Sequence, residues 1–410
     1  MKKRNVMHLA VTGALAAIAA QNAFAGIGFK AGDWDVDFGG NVNGFYTYAD
    51  CDKNVAPVAG GLACVGDQQG AVRNGLLPGA LIFSAKTRQN NLDVGVTVGF
   101  YPGINSNNFG PGGVNIAGGN PVALGTAGID ARQTFFTFGD KSWGTIKIGR
   151  DIGIFGSNAI LSDMTLLGVG STGGNGAPSN TSLGRIGLGY IYADFQPQIT
   201  YTSADAGGFQ FSGGLFTGLT PLTDASFSVH KSPGLQAQGS YAWTGDVGGK
   251  VWVSGVSQKV EQSSAVLNGK SYTGSAIDAG VKISVAGFEG VLYGYSGDGV
   301  GTTALFVLSN DALGNKRKSS GGYAQGTYKF GDVKLGLSYG ESKLKLANNE
   351  VNPALVKTNK SFVGGVYYSL TKSVTLVGEY VDTEATPQNE TLTIKKNKEK
   401  TYVLGGILFF

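Results

Sequence analysis

The chain has 410 residues, with 32 Lys and Arg against 28 Asp and Glu, and 68 of its residues are glycine. The nearly balanced charge gives no electrostatic footprint for nucleic acid, and two histidines, His8 and His230, exclude most histidine-dependent triads and multi-histidine metal sites. Glycine at more than twice the usual share of about 7%, with 11 prolines and 10% aromatic residues, is typical of many strands and turns rather than of collagen or a disordered linker.

The N-terminus predicts an export signal. Lys2, Lys3 and Arg4 form a positive segment, residues 9–20 form an apolar segment, and 23–25 read Ala-Phe-Ala, the pattern of a signal-peptidase site. The apolar segment is too short to span a membrane, and no other apolar stretch of about 18 residues occurs. We therefore expect 1–25 to be a cleaved signal peptide and 26–410 a single mature domain, whose net charge is 29 − 28 = +1.

Cys51 and Cys64 are the only cysteines in the sequence. In an exported chain, one disulfide that closes a surface loop is the favoured interpretation. Two free thiols are the less favoured alternative. No metal site is assigned, because no histidine or third cysteine lies nearby in the sequence.

Alternation of apolar and polar residues recurs along 26–410, whereas sustained helical periodicity is hard to find. The first strand, at about 33–48, places Trp34, Val36 and Phe38 on one face. The final run, 401–410, alternates in the same way and ends on an aromatic residue. A strand of about 9–11 residues is long enough to cross a bilayer when tilted. Such a strand must pair on both edges, so we expect it to pair with the first strand and close a barrel.

The connections between the predicted strands alternate in length. Short turns are expected at 89–91, 139–142, 204–207, 244–248, 285–287, 330–332 and 370–372, and long loops at about 49–78, 102–129, 151–184, 217–233, 261–272, 298–319, 346–357 and 385–398. This segregation is typical of an outer-membrane barrel, and a soluble sandwich or propeller gives no reason for it. The sequence thus predicts an all-β fold, a 16-stranded antiparallel transmembrane β-barrel with short periplasmic turns and long extracellular loops.

A barrel of sixteen strands leaves an aqueous channel. The third long loop is more apolar than the other loops, so we expect it to fold inward against the barrel wall. By alternation, the basic residues that face the lumen are Lys86, Arg88, Arg185, Lys250, Lys282, Lys329 and Lys334, and the acidic ones are Asp93, Asp278 and Glu379. The basic excess predicts a weak preference for anions. For most of these residues individually, a solvated wall position without a role of its own remains the simpler interpretation.

Two segments resemble a known family. Residues 130–140, Asp-Ala-Arg-Gln-Thr-Phe-Phe-Thr-Phe-Gly-Asp, and 143–150, Trp-Gly-Thr-Ile-Lys-Ile-Gly-Arg, resemble the paired strands that lead into the third loop of the general porins of Gram-negative outer membranes. The resemblance implies a homotrimer of sixteen-stranded barrels, each with its third loop folded into the pore towards basic wall residues.

Within the third loop, the resemblance is partial. Arg150 matches the arginine that begins this loop, and Ser162-Asp163-Met164 matches the start of the Thr-Asp-Met-Leu-Pro-Glu-Phe-Gly-Gly-Asp segment of enteric members. The family's acidic Pro-Glu-Phe stretch is replaced by Thr-Leu-Leu-Gly-Val-Gly-Ser at 165–171. The glutamate and the final aspartate of that segment are absent, which puts cation selectivity in doubt.

The residues expected at the pore constriction are Arg150, Asp151, Asp163, Lys86, Arg88 and Arg185, and Phe410 is expected to be a C-terminal assembly signal. Strict alternation places Arg150 on the lipid face with Ile146 and Ile148 unless the chain bends inward there. The resemblance favours the bend, and so does the cost of ~2–4 kcal/mol for a charge on the lipid face at mid-bilayer.

These observations predict a non-enzymatic outer-membrane channel through which small hydrophilic solutes and ions diffuse passively, with weak anion selectivity. The expected partners are outer-membrane lipid and lipopolysaccharide, and we expect no cofactor and no nucleic acid. A substrate-selective channel for small organic anions or amides is the alternative. A barrel enzyme is disfavoured, because His230 stands alone among loop residues 227–233. An adhesin or phage-receptor role of the loops is compatible with a channel, and a soluble β-protein would purify without detergent.

Overall fold

The structure, a computed structural model, describes residues 26–53, 55–105, 127–173, 180–221, 227–228, 231–262 and 270–410. The predicted signal peptide, 1–25, most of the predicted loop 102–129 and His230 lie outside the described residues. Helical structure within the described ranges comprises a short helix, α1 (Ser157–Leu161), and one 3-10 turn (Met164–Leu167). A search of the same ranges for a long apolar helix able to cross a membrane finds none.

The strands of the described residues form one antiparallel sheet. They are β1 (Ile27–Ala31), β2 (Trp34–Cys51), β3 (Gln69–Arg73), β4 (Ala80–Gln89), β5 (Leu92–Pro102), β6 (Ile129–Asp140), β7 (Gly144–Ile152), β8 (Phe195–Thr202), β9 (Phe209–Phe216), β10 (Phe227–Ser228), β11 (Gly234–Trp243), β12 (Val247–Gln262), β13 (Ser271–Val285), β14 (Phe288–Asp298), β15 (Lys318–Phe330), β16 (Val333–Leu344), β17 (Val356–Ser369), β18 (Val374–Pro387) and β19 (Asn397–Phe409).

Sixteen of these strands form the wall of a closed barrel, and β1, β3 and β10 are short additions. β3 and β4 pair with successive parts of β2, and β10 and β11 with successive parts of β12, so each short strand extends the wall strand that follows it. β19 pairs with β2 from Glu399↔Cys51 to Phe409↔Asn41 and closes the barrel. The prediction of a 16-stranded antiparallel barrel, closed by its first and last strands, is therefore confirmed.

Short turns and long loops lie at opposite ends of the barrel, as predicted. Seven turns of two to six residues join wall strands at 90–91, 141–143, 203–208, 244–246, 286–287, 331–332 and 370–373, and the eight connections between them are longer. In the first turn, Asn90 and Asn91 have φ angles of 48° and 64°. Asparagine tolerates this left-handed backbone, and two such residues match the twist of a tight hairpin.

Alternation sorts the wall side chains into an apolar outer face and a more polar inner face. In β19, Tyr402, Leu404 and Leu408 are exposed on the outside, whereas Thr401 and Val403 are buried on the inside. The apolar face of the C-terminal run is thus the outward one, as a strand in contact with lipid requires.

The first loop, 52–79, is tied to the barrel by a disulfide. Cys51 at the end of β2 is bonded to Cys64, with their Cα atoms 5.1 Å apart. The predicted disulfide is therefore confirmed, and it holds the first half of this loop close to the mouth of the barrel.

Candidate functional site

The described residues of the third loop, 153–173 and 180–194, run along the inside of the barrel wall. Directly after β7, the N–H groups of Ile154 and Phe155 donate to Gln236 Oε1 of β11 at 2.7 and 2.9 Å. The next N–H, of Gly156, donates to Asp278 Oδ2 of β13 at 3.0 Å. The loop therefore turns into the lumen immediately, as predicted, because wall side chains accept its backbone hydrogen bonds.

Further wall acceptors hold the rest of the loop. The Met164 N–H donates to Gln325 Oε1 of β15 at 2.8 Å. The N–H groups of Val169 and Gly170 both donate to Glu379 Oε2 of β18, at 2.9 and 2.8 Å. The loop thus follows the wall from β11 to β18, and amide and carboxylate side chains of the inner face hold its path.

Glu399 on β19 joins the third loop to the first. Its Oε1 accepts the Thr172 hydroxyl at 2.8 Å, and its Oε2 accepts the Cys64 N–H at 2.9 Å. Glu399 is almost fully buried. The disulfide-linked part of the first loop therefore rests on the same carboxylate as the third loop.

Apolar side chains explain why the third loop packs against the barrel wall. Phe155 and Ile191 are fully buried in a cluster with Trp252 and Tyr293 of the wall. Burial of side chains of this size contributes about 1.5–3 kcal/mol each. Gly156 permits the close approach: its φ is 78°, and a Cβ there would lie 2.7 Å from the Ile191 carbonyl oxygen. The prediction that an apolar loop folds inward is thus confirmed.

Asp163 is a structural group inside the loop. Its Oδ1 accepts the Thr165 N–H at 2.9 Å at the start of the 3-10 turn, and its Oδ2 accepts the Tyr190 hydroxyl at 2.9 Å. Burial and the adjacent Asp163 charge raise the pKa of Tyr190 well above its usual value. Because Asp163 is buried and hydrogen-bonded, it belongs to the packed interior of the loop rather than to the lumen surface.

Arg185 is also buried, and its expected position on a strand is wrong. It lies in the third loop, which extends to Asp194 rather than ending at about 184. Its guanidinium donates to Ser338 Oγ at 2.5 Å and to Ser361 Oγ at 3.2 Å, which are wall groups of β16 and β17. The side chain is fully buried, so Arg185 fastens the loop to the wall instead of lining the lumen.

The start of the third loop corrects the expectation for Arg150. Strand β7 continues to Ile152 without the expected inward bend, and Arg150 is exposed on the outward face with Ile146 and Ile148. Its cross-strand neighbours are Thr134 and Pro197, which are exposed as well.

Asp151, the next residue, points inward. It is fully buried, accepts the Gln133 amide at 2.8 Å and forms an ion pair with Lys147, four residues earlier on the same face. Lys147 was missed in the sequence, although its alternation with Ile146 and Ile148 marks it as inward.

Lys86 and Arg88 lie at the turn end of the barrel, away from the third loop. Lys86 lies directly opposite Asp35 of β2 in the strand register. Arg88 forms ion pairs with Asp93 and Asp140 at 2.7 and 2.8 Å. Both basic side chains are exposed. The six residues expected at the constriction are therefore not brought together in one ring.

A different set of basic residues, also predicted to face the lumen, does come together beside the third loop. We call Lys250, Lys282, Lys329 and Lys334 the lysine group. Lys250 lies directly opposite Lys282 across β12 and β13, and Lys329 lies directly opposite Lys334 across β15 and β16. Lys250 Nζ donates to Asn158 Oδ1 of α1 at 2.7 Å, which places the group next to the third loop.

The lysine group has one carboxylate partner among the described residues. Glu289 of β14 pairs with Lys282 at 2.7 Å. The ammonium of Lys334 lies 4.9 Å from the centre of the Tyr367 ring. In the described part of the chain, no carboxylate lies within ion-pair distance of Lys250, Lys329 or Lys334. The formal charge of the group on the inner wall is thus 4 − 1 = +3.

The wall has a gap where the third loop leaves it. Backbone pairing of β6 with β7 ends at Thr134 and Arg150; beyond this point β6 pairs only with β5, and β7 only with β8. A cavity of about 590 Å³ lies at this divergence and is bordered by Arg150. Its mainly apolar lining includes Leu77, Tyr101, Ile129, Ile160, Ile186 and Phe195.

Within the described ranges, no group of three or more His, Cys, Asp or Glu side chains is placed to hold a metal ion.

Comparisons with known proteins agree on one type of molecule. The family model described as Gram-negative porin matches residues 9–388. Among curated proteins, nothing matches significantly. Among solved structures, the outer membrane channel DcaP of Acinetobacter baumannii has a TM-score of 0.66 at 17% identity, covering 93% of this chain and 99% of that chain.

Two further structures are similar at comparable levels. The anion-selective porin from Comamonas acidovorans has a TM-score of 0.60 at 14% identity, covering 92% of this chain and 100% of that chain. In-vitro folded OmpT of Vibrio cholerae, in its trimer form, has a TM-score of 0.52 at 14% identity, covering 92% and 99% of the two chains. At these identities the likeness shows the fold alone.

Proposed function

The chain belongs to the Gram-negative porin family and is a channel of the outer membrane, and we propose that small hydrophilic solutes and ions diffuse through it passively with a weak preference for anions. The family consists of channel proteins.

One observation carries the proposed preference. The inward carboxylates next to the third loop, Asp278, Glu379 and Glu399, are buried and accept hydrogen bonds from loop backbone or hydroxyl groups, so they do not form part of the lumen surface. The lysine group on the same wall keeps a net positive charge. Since fixed charge on a pore wall raises the local concentration of counter-ions, this arrangement favours anions over cations.

The reversal potential of the purified protein in a planar bilayer under a KCl gradient tests this proposal. We expect the sign that indicates chloride preference. Lys282→Gln and Lys334→Gln each remove one inward charge and should move the potential towards zero. Lys372→Gln, an exposed lysine in the turn between β17 and β18, is the matched control and should leave it unchanged. Cation preference of the wild type would contradict the proposal.

The residues expected at the constriction receive different roles. We propose that Asp151, Asp163 and Arg185 set the position of the third loop, since each is buried and bonded to loop or wall groups. Arg88 is held between Asp93 and Asp140 at the turn end. The proposed selectivity therefore depends on the lysine group rather than on these residues.

We propose that the protein is a homotrimer. The support is the trimer form of the similar OmpT structure. Cross-linking in detergent, followed by gel electrophoresis with and without heating, would distinguish a trimer from a monomer.

Lipid and lipopolysaccharide are the proposed surroundings of the barrel. The outer face is apolar along the wall, and at the loop end it carries the lysines Lys343, Lys360 and Lys396, paired with Glu341 or Glu384. Lysine is a good partner for the phosphate groups of lipopolysaccharide. Lower lipopolysaccharide content after purification of a Lys360→Gln, Lys396→Gln double variant would support this contact.

A further inference from the structure

The two lysine pairs are an unfavourable arrangement for the barrel alone. Lys250 faces Lys282, and Lys329 faces Lys334, each pair directly opposite across neighbouring strands on the inner face. Like charges at directly opposite positions destabilise a sheet. A wall that only needed to be polar would be satisfied by serine, threonine or glutamine, which fill many other inward positions, such as Thr200, Ser254 and Gln258.

The neighbours of the lysine group leave most of its charge available. Lys250 donates to the neutral amide of Asn158. Lys282 alone has a carboxylate, Glu289. Lys334 lies over the Tyr367 ring, a contact that favours a cation without neutralising it. Three of the four lysines thus have no carboxylate partner among the described residues, and the group attracts anions.

The chemistry of the group suggests what kind of anion it takes. All four basic members are lysines, whose ammonium groups bind phosphate as point charges on flexible stems, whereas the flat fork of arginine binds carboxylate or phosphate at two points. Several ammonium groups around one site suit the tetrahedral oxygens of a phosphate-type ion. A second negative charge on the ligand doubles its attraction to each lysine, so a divalent ion gains more than chloride does.

We propose that the lysine group is a binding site for divalent oxyanions of the phosphate type. The proposal rests on the anion preference proposed above and makes the channel selective for a solute class as well as for a sign of charge. The site lies directly beside the third loop. Asn158 of α1 bonds to Lys250, and Gly336, two residues after Lys334, has Met164 of the loop so near that a Cβ would lie 2.6 Å from the Met164 sulfur. Solutes that pass the loop therefore meet the lysine group.

Inorganic phosphate is the probe for the test. Chloride current through the purified wild-type protein is measured in a planar bilayer at about 0.1 M KCl, where screening is limited, with increasing phosphate. At about pH 8, where phosphate is mainly dianionic, we expect a saturable fall in chloride conductance. At about pH 5, where phosphate is mainly monoanionic, the effect should be several-fold weaker in affinity.

Variants identify the site. Lys282→Gln and Lys334→Gln should each raise the phosphate concentration of half effect about two- to fivefold, the range for one weak charge contact. Glu289→Gln removes the carboxylate of the group and should lower that concentration, which is the opposite sign. Lys372→Gln, outside the lumen, is the control. Heat-modifiable mobility on gels shows which variants fold, and the two lysine variants are independent of each other.

The outcomes separate this inference from the proposed function. Chloride preference in KCl with a phosphate effect that does not saturate, or that is equal in all variants, would overturn the binding site and leave the anion preference standing. Cation preference in KCl would overturn the proposed function itself. A saturable effect that weakens in both lysine variants and strengthens in Glu289→Gln supports the site.

Discussion

Arg317 and Glu350 form a two-point ion pair that joins the sixth loop (299–317) to the seventh (345–355). Arg317 Nε donates to Glu350 Oε2 at 2.9 Å, and a terminal nitrogen donates to Oε1 at 2.5 Å. Both side chains are largely buried. The pair thus couples two loops on the extracellular side that otherwise arise from separate hairpins.

Acid should open this contact. Burial acts to raise the pKa of Glu350, but hydrogen bonds from Arg317 and from the Ala347 N–H outweigh it and lower the pKa below 4.5. A carboxyl whose folded-state pKa is depressed stabilises the fold above its unfolded pKa and loses that contribution as pH falls through the folded value. We expect protease cleavage in the loops 299–317 and 345–355 to increase as the pH falls through this lowered pKa.

Glu350→Gln should show the increased cleavage already at neutral pH and lose most of the pH dependence below 4.5. Glu390→Gln, at an exposed glutamate of the eighth loop, is the matched control. Equal pH dependence of cleavage in wild type and Glu350→Gln would contradict this prediction.

Loss of Glu379 should loosen the third loop. Its carboxylate accepts the Val169 and Gly170 N–H groups and the Tyr367 hydroxyl. Glu379→Leu leaves these donors without partners, at about 1–3 kcal/mol for each buried one. We expect a larger and noisier single-channel conductance, because the loop no longer keeps one position. Glu390→Leu should have the conductance of the wild type. Unchanged conductance and noise in Glu379→Leu would show that other contacts suffice.

Reduction of the disulfide should free the first loop. The bond closes a segment with a sequence separation of 13 residues, and loops of this length are stabilised by ~3 kcal/mol in the chain-entropy model. Hydrogen bonds such as those from the Cys64 N–H to Glu399 and from the Val58 N–H to Asn397 then have to hold the segment without the covalent bond. Cleavage within 52–64 should appear in reducing buffer and in a Cys51→Ser, Cys64→Ser double variant. The double variant should not respond further to reductant, and resistance in both conditions would contradict the prediction.

Truncation of Phe410 should impair assembly of the barrel. Its backbone exchanges hydrogen bonds with Gly40 at 2.9 and 3.1 Å, and its ring lies 6.0 Å from that of Phe38. Phe410→Ala should lower the amount of heat-modifiable protein in outer-membrane fractions. Phe330→Ala, which removes an exposed outward ring near the turn end of β15, is the control. Equal loss in both variants would mean that any outward aromatic residue matters.

The barrel could be predicted from the sequence because strand alternation and turn formation depend on residues close together in the chain. The positions of Asn90–Asn91 and of the other short turns follow from residue types within a few positions. The same local pattern placed Lys250, Lys282, Lys329 and Lys334 on the inner face. Strand count and the facing of wall residues could therefore be read without knowledge of distant contacts.

The path of the third loop was harder to predict from the sequence, because its residues do not follow strand alternation. Residues 185–194 are apolar enough to suggest a strand, but Gly187 and Gly189 have φ angles of 73° and 150°, which break it. Arg185 was placed by a pattern that does not hold there. For Arg150 the reason is the opposite. Strict alternation gives the correct outward position, and the expected inward bend is wrong. Some wall carboxylates accept hydrogen bonds from N–H groups of the loop. These contacts cross the barrel, so no local sequence pattern predicts which carboxylates are involved.

The hydrogen bonds between the third loop and the barrel wall also have a consequence for the order of assembly. The loop follows β7, yet its partners lie on β11 to β19, and the Thr172–Glu399 contact spans 227 residues of sequence. Such contacts form only after the chain between them has been brought into place, at a cost in loop-closure entropy. We therefore expect docking of the third loop to be a late event, which completes once the last strand has paired with the first. A barrel arrested before that point would lack the docked loop and keep a wider lumen.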